Sequence, residues 1–214
     1  MIILIKTVYL YVFDSISDWE YGFVMPELHS RRYFKTDATQ LNIVTVGPTL
    51  QPITTMGGLR ILPDITVSQL ELTSMDALIL PGGQSWQEPL HDPLLNKVGN
   101  ALSNGTLIAA ICGATEGLAK SGFLNLRLHT SNDLSYLQSV CSNYSGESFY
   151  QHTPVVRDDS LITASGMAAL EFAYETIRAL DVFTPETLEA WYGLHKTNEA
   201  KYFFDLMVAT SVKQ

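Results

Sequence analysis

The sequence predicts an α/β fold, a three-layer, doubly wound and mostly parallel sheet followed by a C-terminal helical extension. Two observations carry this expectation. The runs "TVYLYVF" (7–13), "LNIVTV" (41–46), "DALILPGG" (76–83) and "TLIAAI" (106–111) are almost continuously apolar, as strands buried on both faces must be. Helical patterns alternate with them, and that alternation builds βαβ units rather than a sandwich or a bundle. Sites in such sheets form outside the carboxyl ends of the strands.

Each element has its own signals. Between the third and fourth strands, Asp92 is placed to cap a helix and Pro93 suits its first position. Leu94, Leu95, Val98, Ala101 and Leu102 make its apolar face, and Gly105 ends it. "ITTMGGLRILPDI" (53–65) reads as a hairpin turning at Gly57-Gly58, and "TPVVRDDSLITASG" (153–166) as two short strands turning at Asp158-Asp159. From Met167 to Leu180, Met167, Leu170, Ala173, Tyr174, Ile177 and Leu180 share one side, a helix packed on the sheet. Thr184 and Pro185 open a final pair of helices whose aromatics, Trp191, Tyr192, Tyr202, Phe203 and Phe204, supply packing surface. The expected organisation is an α/β domain over 1–183 and a helical extension over 184–214 packed on it.

Composition narrows the function classes. A chain of 214 residues suits one domain with a sizeable core, and 46% hydrophobic against 16% charged residues describes a buried globular protein. The net charge of −9 argues against nucleic acid and anionic membrane as partners. Two cysteines are too few for a disulfide framework and point to a reducing compartment. The opening "MIILIKTVYLYVF" is interrupted by Lys6, is followed by Asp14 and shows no cleavage site, and no run of about 18 apolar residues occurs, so a cytoplasmic protein is expected. No metal-binding spacing and no GxGxxG or GxxxxGK[ST] is present, so no metal and no cofactor is expected. The remaining histidines, His29, His91, His152 and His195, are scattered.

The chemistry concentrates on "LIAAICGATEGLAKSG" (107–122). A nucleophile elbow needs small residues two before and two after the nucleophile, because strand and helix approach closely at the turn. Ala110-Ile111-Cys112-Gly113-Ala114 meets that rule, and a helix running to Ser121 with Gly122 as terminator would put the Cys112 thiol at a helix N-terminus, which favours thiolate. The alternative is a buried structural cysteine. Backbone N–H groups just past a strand end can hold an oxyanion, so Gly83 and Gly113 are candidate donors, although Gly82-Gly83 also reads as an ordinary turn. In "SISDWEYG", Glu20 could reach the Cys112 sulfur. Its spacing from Ser17 is also that of a capping box, and Asp18 is the rival carboxyl. Trp86 could line a substrate pocket or anchor a loop.

"DALILPGG", "AAICGATEGLAKSGFL" and "LITASGMAALEFAYETI" together resemble the superfamily of PfpI-type intracellular proteases and the parkinsonism-associated deglycase, over about residues 7–181. The resemblance implies a flavodoxin-like, class I glutamine amidotransferase-like fold. It also implies a nucleophilic Cys112, a partner carboxyl at Glu20 and oxyanion donors at Gly83 and Gly113. The sequence departs from the pattern in three ways. Gly113 stands where protease-like members place a histidine after the nucleophile, and "TASGMAAL" replaces the His-x-Glu of amidotransferases, so glutamine hydrolysis is not expected. In "LHTSND", Asn132 stands about where other members carry a histidine, with His129 a few residues earlier as a candidate base. Two functions follow as expectations. One is a Cys112-dependent hydrolase or small-electrophile enzyme (protease or amidase, glyoxalase or deglycase, or isocyanide hydratase) acting on a small-molecule substrate. The other is a non-catalytic thiol redox sensor or stress-protective protein with an oxidisable Cys112; beside these two, a binding module on the same scaffold stays open, because fold does not fix function. The aromatic extension and the resemblance suggest a homodimer.

Overall fold

Continuous apolar runs became strands because only a central position in a sheet hides both faces of such a segment. The computed structural model describes residues 5–211. Residues 1–4, the start of the N-terminal apolar run, and 212–214, the end of the extension, lie outside the described residues. The order is β1 (Ile5–Tyr11), α1 (Asp18–Tyr21), α2 (Val24–Ser30), β2 (Gln40–Gly47), β3 (Ile53–Thr54), β4 (Arg60–Ile61), β5 (Ile65–Thr66), β6 (Ala77–Leu80), α3 (Asp92–Asn104), β7 (Leu107–Ile111), α4 (Gly113–Lys120), α5 (Leu134–Val140), β8 (Val155–Asp158), β9 (Leu161–Ala164), α6 (Ala169–Leu180), α7 (Pro185–Thr197) and α8 (Ala200–Ser211).

Seven strands form one sheet in the order β5-β2-β1-β6-β7-β9-β8, and β3-β4 is a separate antiparallel pair. All neighbours in the large sheet are parallel except β8, which pairs antiparallel with β9. Every residue of β6, β7 and β9 is buried. Register sets Leu80 beside Ala110 and Ile111 beside Ala164, so β6, β7 and β9 end together at one edge. Helices α3 and α4 pack on β7 to one side, while α6 covers β7 and β9 and meets α1, α2 and α7.

Several details differ from the sequence expectation. Pro81 has no N–H to donate, and the third strand stops at Leu80 instead of running through the glycines. His91, not Asp92, takes the cap position of α3, which puts Asp92 in the first turn. In the β8–β9 hairpin Asp158 pairs with Leu161, so the turn is Asp159-Ser160, with Asp159 in the left-handed region at φ 51°. Met167 lies outside α6 at 86% exposure, and Phe172 and Thr176 join Ala173, Ile177 and Leu180 on its buried side. The first hairpin turns at Gly57-Gly58 as read, with φ +85° at Gly58.

The extension is fastened to the domain. Thr184 Oγ1 caps α7 by accepting from Thr187 N–H at 3.2 Å, and buried Trp191 donates from Nε1 to Glu27 Oε1 of α2 at 3.0 Å. Trp191 and Tyr192 pack inward or at the margin, but Phe203 and Phe204 of α8 are 49% and 63% exposed, so the aromatic surface is only partly internal.

Behind the loop after β6 sits a buried polar knot. The His91 ring stacks on Trp86 at 4.5 Å, with Nδ1 at 3.0 Å from Tyr11 Oη and Nε2 at 3.0 Å from Ser85 Oγ. Burial lowers the His91 pKa to about 4. Between pH 6.5 and that value the unfolded chain binds a proton that the native state refuses, so this stability is complete above pH 6.5 and declines as pH falls. At roughly 1.4 kcal/mol per pH unit over this window the loss by pH 4 is on the order of 3 kcal/mol. Thermal melts of the wild type should therefore fall more steeply from pH 6.5 to 4 than those of His91→Gln. Parallel pH profiles for the two proteins would refute this.

Candidate active site

The carboxyl edge of β7 ends in an unusual residue. Cys112 has φ 58° and ψ −125°, a left-handed backbone on a side chain with a Cβ, and α4 begins at the next residue. Such a conformation costs about 1–3 kcal/mol and persists only where the surroundings enforce it. They do so with bonds on both sides. Cys112 N–H donates to Ala164 O at 2.9 Å, and Cys112 O accepts from Thr115 N–H at 3.0 Å and Thr115 Oγ1 at 2.6 Å. Space is as tight as the elbow rule requires. A Cβ on Gly113 would lie 2.8 Å from Gly83 O and 3.1 Å from Trp86 Cδ1, and Ala110 and Ala114 are fully buried.

Glu20 comes from α1 and is fully buried. The Ser17 side chain makes no cap bond, so the local box expected from the spacing does not form. Instead Glu20 Oε2 accepts from Gly82 N–H, while Gly82 O accepts from Ser17 N–H at 3.1 Å. The Glu20 carboxyl lies beside the Cys112 thiol, close enough that each group shifts the titration of the other, and its Oε1 is buried without a hydrogen-bond partner among the described residues. Gly82 is the hinge of this contact, because a Cβ there would sit 2.7 Å from both Cys112 Cβ and Glu20 Oε2. Asp18, the rival carboxyl, accepts from Gly57 N–H at 2.6 Å and ties α1 to the β3–β4 turn, away from the thiol.

Electrostatics here oppose the simple helix-terminus expectation. Burial pushes the Cys112 thiol up to about 11, the charge of Glu20 adds to the rise, and the Asn132 amide and Gly113 N–H oppose it. Burial also raises the Glu20 carboxyl, against the pull of Gly82 N–H. Desolvation thus outweighs the N-terminus of α4 when both groups are asked to ionise. Two neighbouring groups that each oppose the other's charge titrate as a pair. The unpartnered Oε1 is the Glu20 oxygen free to hold a proton.

Gly83 lies across from Gly113, its N–H without an acceptor among the described residues, while the Gly113 N–H favours the charged form of the Cys112 sulfur. Asn132 Nδ2 lies 3.3 Å from Cys112 Sγ. His129 is not brought to the thiol. It is fully buried, with Nδ1 at 2.7 Å from Arg127 O and Nε2 at 2.7 Å from Tyr144 Oη, and burial lowers its pKa. Its role is to anchor the strand-like segment beside Tyr150, and the base expected of it has no geometry to act. Trp86 is no pocket wall; it is buried beneath Gly113 and Gly117, with Nε1 donating to Pro81 O at 2.9 Å.

Sequence reasoning missed four contributors. Asn132 was noticed only as a departure. Gly166 leaves room for the sulfur, since a Cβ there would lie 2.7 Å from Cys112 Sγ; a glycine directly after an apolar strand run was the available signal. Thr115 and Ser131, joined Oγ to Oγ at 2.7 Å, had no local signal at all. A cavity of about 430 Å³ lined by Phe13, Ser15, Gln84 and Ser85 lies on the far side of Gly83 and includes neither Cys112 nor Glu20. Among the described residues, no cluster of three or more His, Cys, Asp or Glu is placed to hold a metal ion, and no helix is long and apolar enough to cross a membrane.

Substituting Gly82 tests the contact directly. Gly82→Ala should part Glu20 from Cys112, slow Cys112 alkylation at pH 7 at least about tenfold, and destabilise the fold by about 1–3 kcal/mol through overpacking. Mass-spectrometric labelling rates and thermal melts check both, and unchanged labelling would show that the close approach is not needed for reactivity.

Comparison with known proteins places this geometry. A model of the DJ-1/PfpI family matches residues 6–179. The chain is 58% identical over 202 residues to the "uncharacterized protease YoaZ" of Bacillus subtilis, covering 94% of this chain and 96% of that one. It is 25% identical over 143 residues to the "glutathione-independent glyoxalase DJR-1.2" of Caenorhabditis elegans, covering 66% and 74%. The crystal structure of a thiJ/pfpI family protein from Bacillus anthracis superposes with a TM-score of 0.94 at 52% identity, covering 98% and 99% of the two chains.

Proposed function

The chain belongs to the DJ-1/PfpI family, and on that premise we propose that it is a cysteine-dependent hydrolase or lyase acting on a small electrophilic carbonyl. One observation carries the proposal: the buried Glu20 carboxyl sits against the Cys112 thiol at a strained strand-to-helix turn. Relatives named as a protease and as a glyoxalase support the same breadth of chemistry.

In the first step the Cys112 sulfur donates an electron pair to the carbonyl carbon, a C–S bond forms, and the C=O π pair moves onto oxygen. Gly83 and Gly113 N–H groups are the proposed donors to that oxygen. The proton held by Glu20 passes to the oxygen, so the charge lost from sulfur reappears on the carboxylate. Addition to an aldehyde is complete at that point. Cleavage of an amide additionally needs a proton for the leaving amine, and among the described residues Glu20 is the only acid in contact with the thiol to deliver it, which favours aldehydes over peptides.

Two measurements test the reading. The wild type should consume α-oxoaldehydes such as methylglyoxal, and Cys112→Ser should lose all turnover. Peroxide oxidation of Cys112 without turnover on any carbonyl would instead favour the redox sensor.

The pair also predicts a pH signature. In the wild type, iodoacetamide labelling of Cys112 should rise once in the acid range, as the pair loses its first proton, and again towards about pH 11. Glu20→Gln has no proton to share, so the acid rise should vanish and labelling at pH 6 should drop at least about tenfold. Its single remaining rise should come below about 11, because the neighbouring carboxylate charge is gone. A Gln variant with the wild-type profile would remove Glu20 from the mechanism.

The assembly proposed is a homodimer, supported by the exposed Phe203, Phe204 and Val208 along α8. Sedimentation at micromolar concentration should give twice the chain mass of 23.7 kDa, and a monomer there would discard the dimer.

A further inference from the structure

We propose that Asn132 is a positioning residue for Cys112, a fixed donor that cannot titrate and that holds the sulfur ready while every proton moves through Glu20. The inference rests on the reading of Cys112 as the nucleophile. Orientation of the Asn132 amide follows from its partners. Its Oδ1 accepts from Gly166 N–H at 2.8 Å and from Ser165 Oγ at 3.5 Å, so the oxygen is committed to the turn after β9. The amide nitrogen must then lie on the other side, where Nδ2 meets Cys112 Sγ at 3.3 Å.

The segment that presents it is rigidly held although Asn132 itself is exposed. Ser131 Oγ binds Thr115 Oγ1 at 2.7 Å, and Thr115 in turn binds the Cys112 carbonyl, which couples the segment to the elbow. Thr130 N–H donates to Thr163 Oγ1 at 2.9 Å, Thr130 Oγ1 donates to Thr153 O at 2.8 Å, and Tyr150 Oη donates to Ser131 O at 3.2 Å. His129, with both ring nitrogens engaged, completes the anchor. Buried hydrogen bonds from three neighbouring elements therefore set one amide against one sulfur.

The consequence is chemical. The sulfur's donors are the Asn132 amide and Gly113 N–H, and neither gains or loses a proton between pH 4 and 10. Among the described residues, Glu20 is the titratable group that lies against the thiol, and Tyr136 on α5 is the further one whose titration feels the Cys112 charge. Among the described residues no imidazole meets the sulfur, so the labelling profile of Cys112 should be flat around pH 6.5.

Asn132→Asp separates positioning from structure. An aspartate keeps the bond from Gly166 N–H but replaces the donor on the sulfur by a negative oxygen. Cys112 labelling at pH 7 should fall at least about tenfold, with Cys141 labelling and the melting temperature unchanged. Asn132→His should keep the fold and add a step near pH 6.5 to the profile. Should the Asp variant fail to fold, Asn132→Ser, which cannot reach the sulfur, should show the same slow labelling. Wild-type rates and profiles in the Asp and His variants would overturn the inference and leave Asn132 as a tie for the Gly166 turn. If wild-type Cys112 does not label faster than Cys141, the nucleophile reading itself fails and the inference falls with it, a result distinct from an unresponsive Asp variant.

Discussion

Everything at the site depends on one close approach: the backbone after β6 lies against the backbone at the end of β7, with no Cβ between them. A methyl group on Gly82 would occupy the space of Glu20 Oε2 and Cys112 Cβ, and one on Gly113 would strike the Gly83 carbonyl. Because that space is empty, a carboxyl from α1 can cross the sheet edge and reach a thiol carried by a different βα unit. The parallel register supplies the alignment, since Leu80, Ala110 and Ala164 neighbourhoods end level with one another. A sheet with these ends staggered would place the same side chains too far apart to share a proton.

Strain and burial then act in sequence. The left-handed Cys112 turns its side chain out of the strand direction, and bonds to Ala164 O and from Thr115 keep it there. Burial raises both the thiol and the carboxyl, so neither ionises freely beside the other. The helix N-terminus is too weak to decide the outcome alone; it shares the task with Asn132 and Gly113 N–H. A pair that keeps one proton offers an anionic nucleophile and an acid in the same contact, which is the combination that addition to a carbonyl requires.

Legibility in the sequence followed the range of the interactions involved. The strands, both hairpins and the elbow were readable because periodicity, Gly57-Gly58 and the small residues around Cys112 are local signals. Boundaries slipped where a neighbour decided them, as at Asp159-Ser160, where the pairing of Asp158 with Leu161 moved the turn by one residue. Ser17 and Glu20 had the spacing of a capping box, yet Glu20 spends its oxygen on Gly82, 62 residues away. His129 was drawn towards the site by its residue type and its place a few residues before Asn132. Its bonds to Arg127 O and Tyr144 Oη show why type is insufficient: both ring nitrogens are engaged by partners other than the thiol.

Asn132 marks the opposite case, a residue whose type suggested nothing and whose partners determine its role. An amide can both accept and donate, and which end faces the sulfur is settled by the Gly166 N–H on the other side. A histidine in that place would add a further titrating group beside Glu20, and the site would then change charge near pH 6.5. With an amide, the charge at the sulfur is governed by Glu20 alone across the neutral range. The sheet edge thus contains one acid, one nucleophile and a set of fixed dipoles. That economy suits a reaction in which the proton leaving the dyad goes to the substrate oxygen and nowhere else.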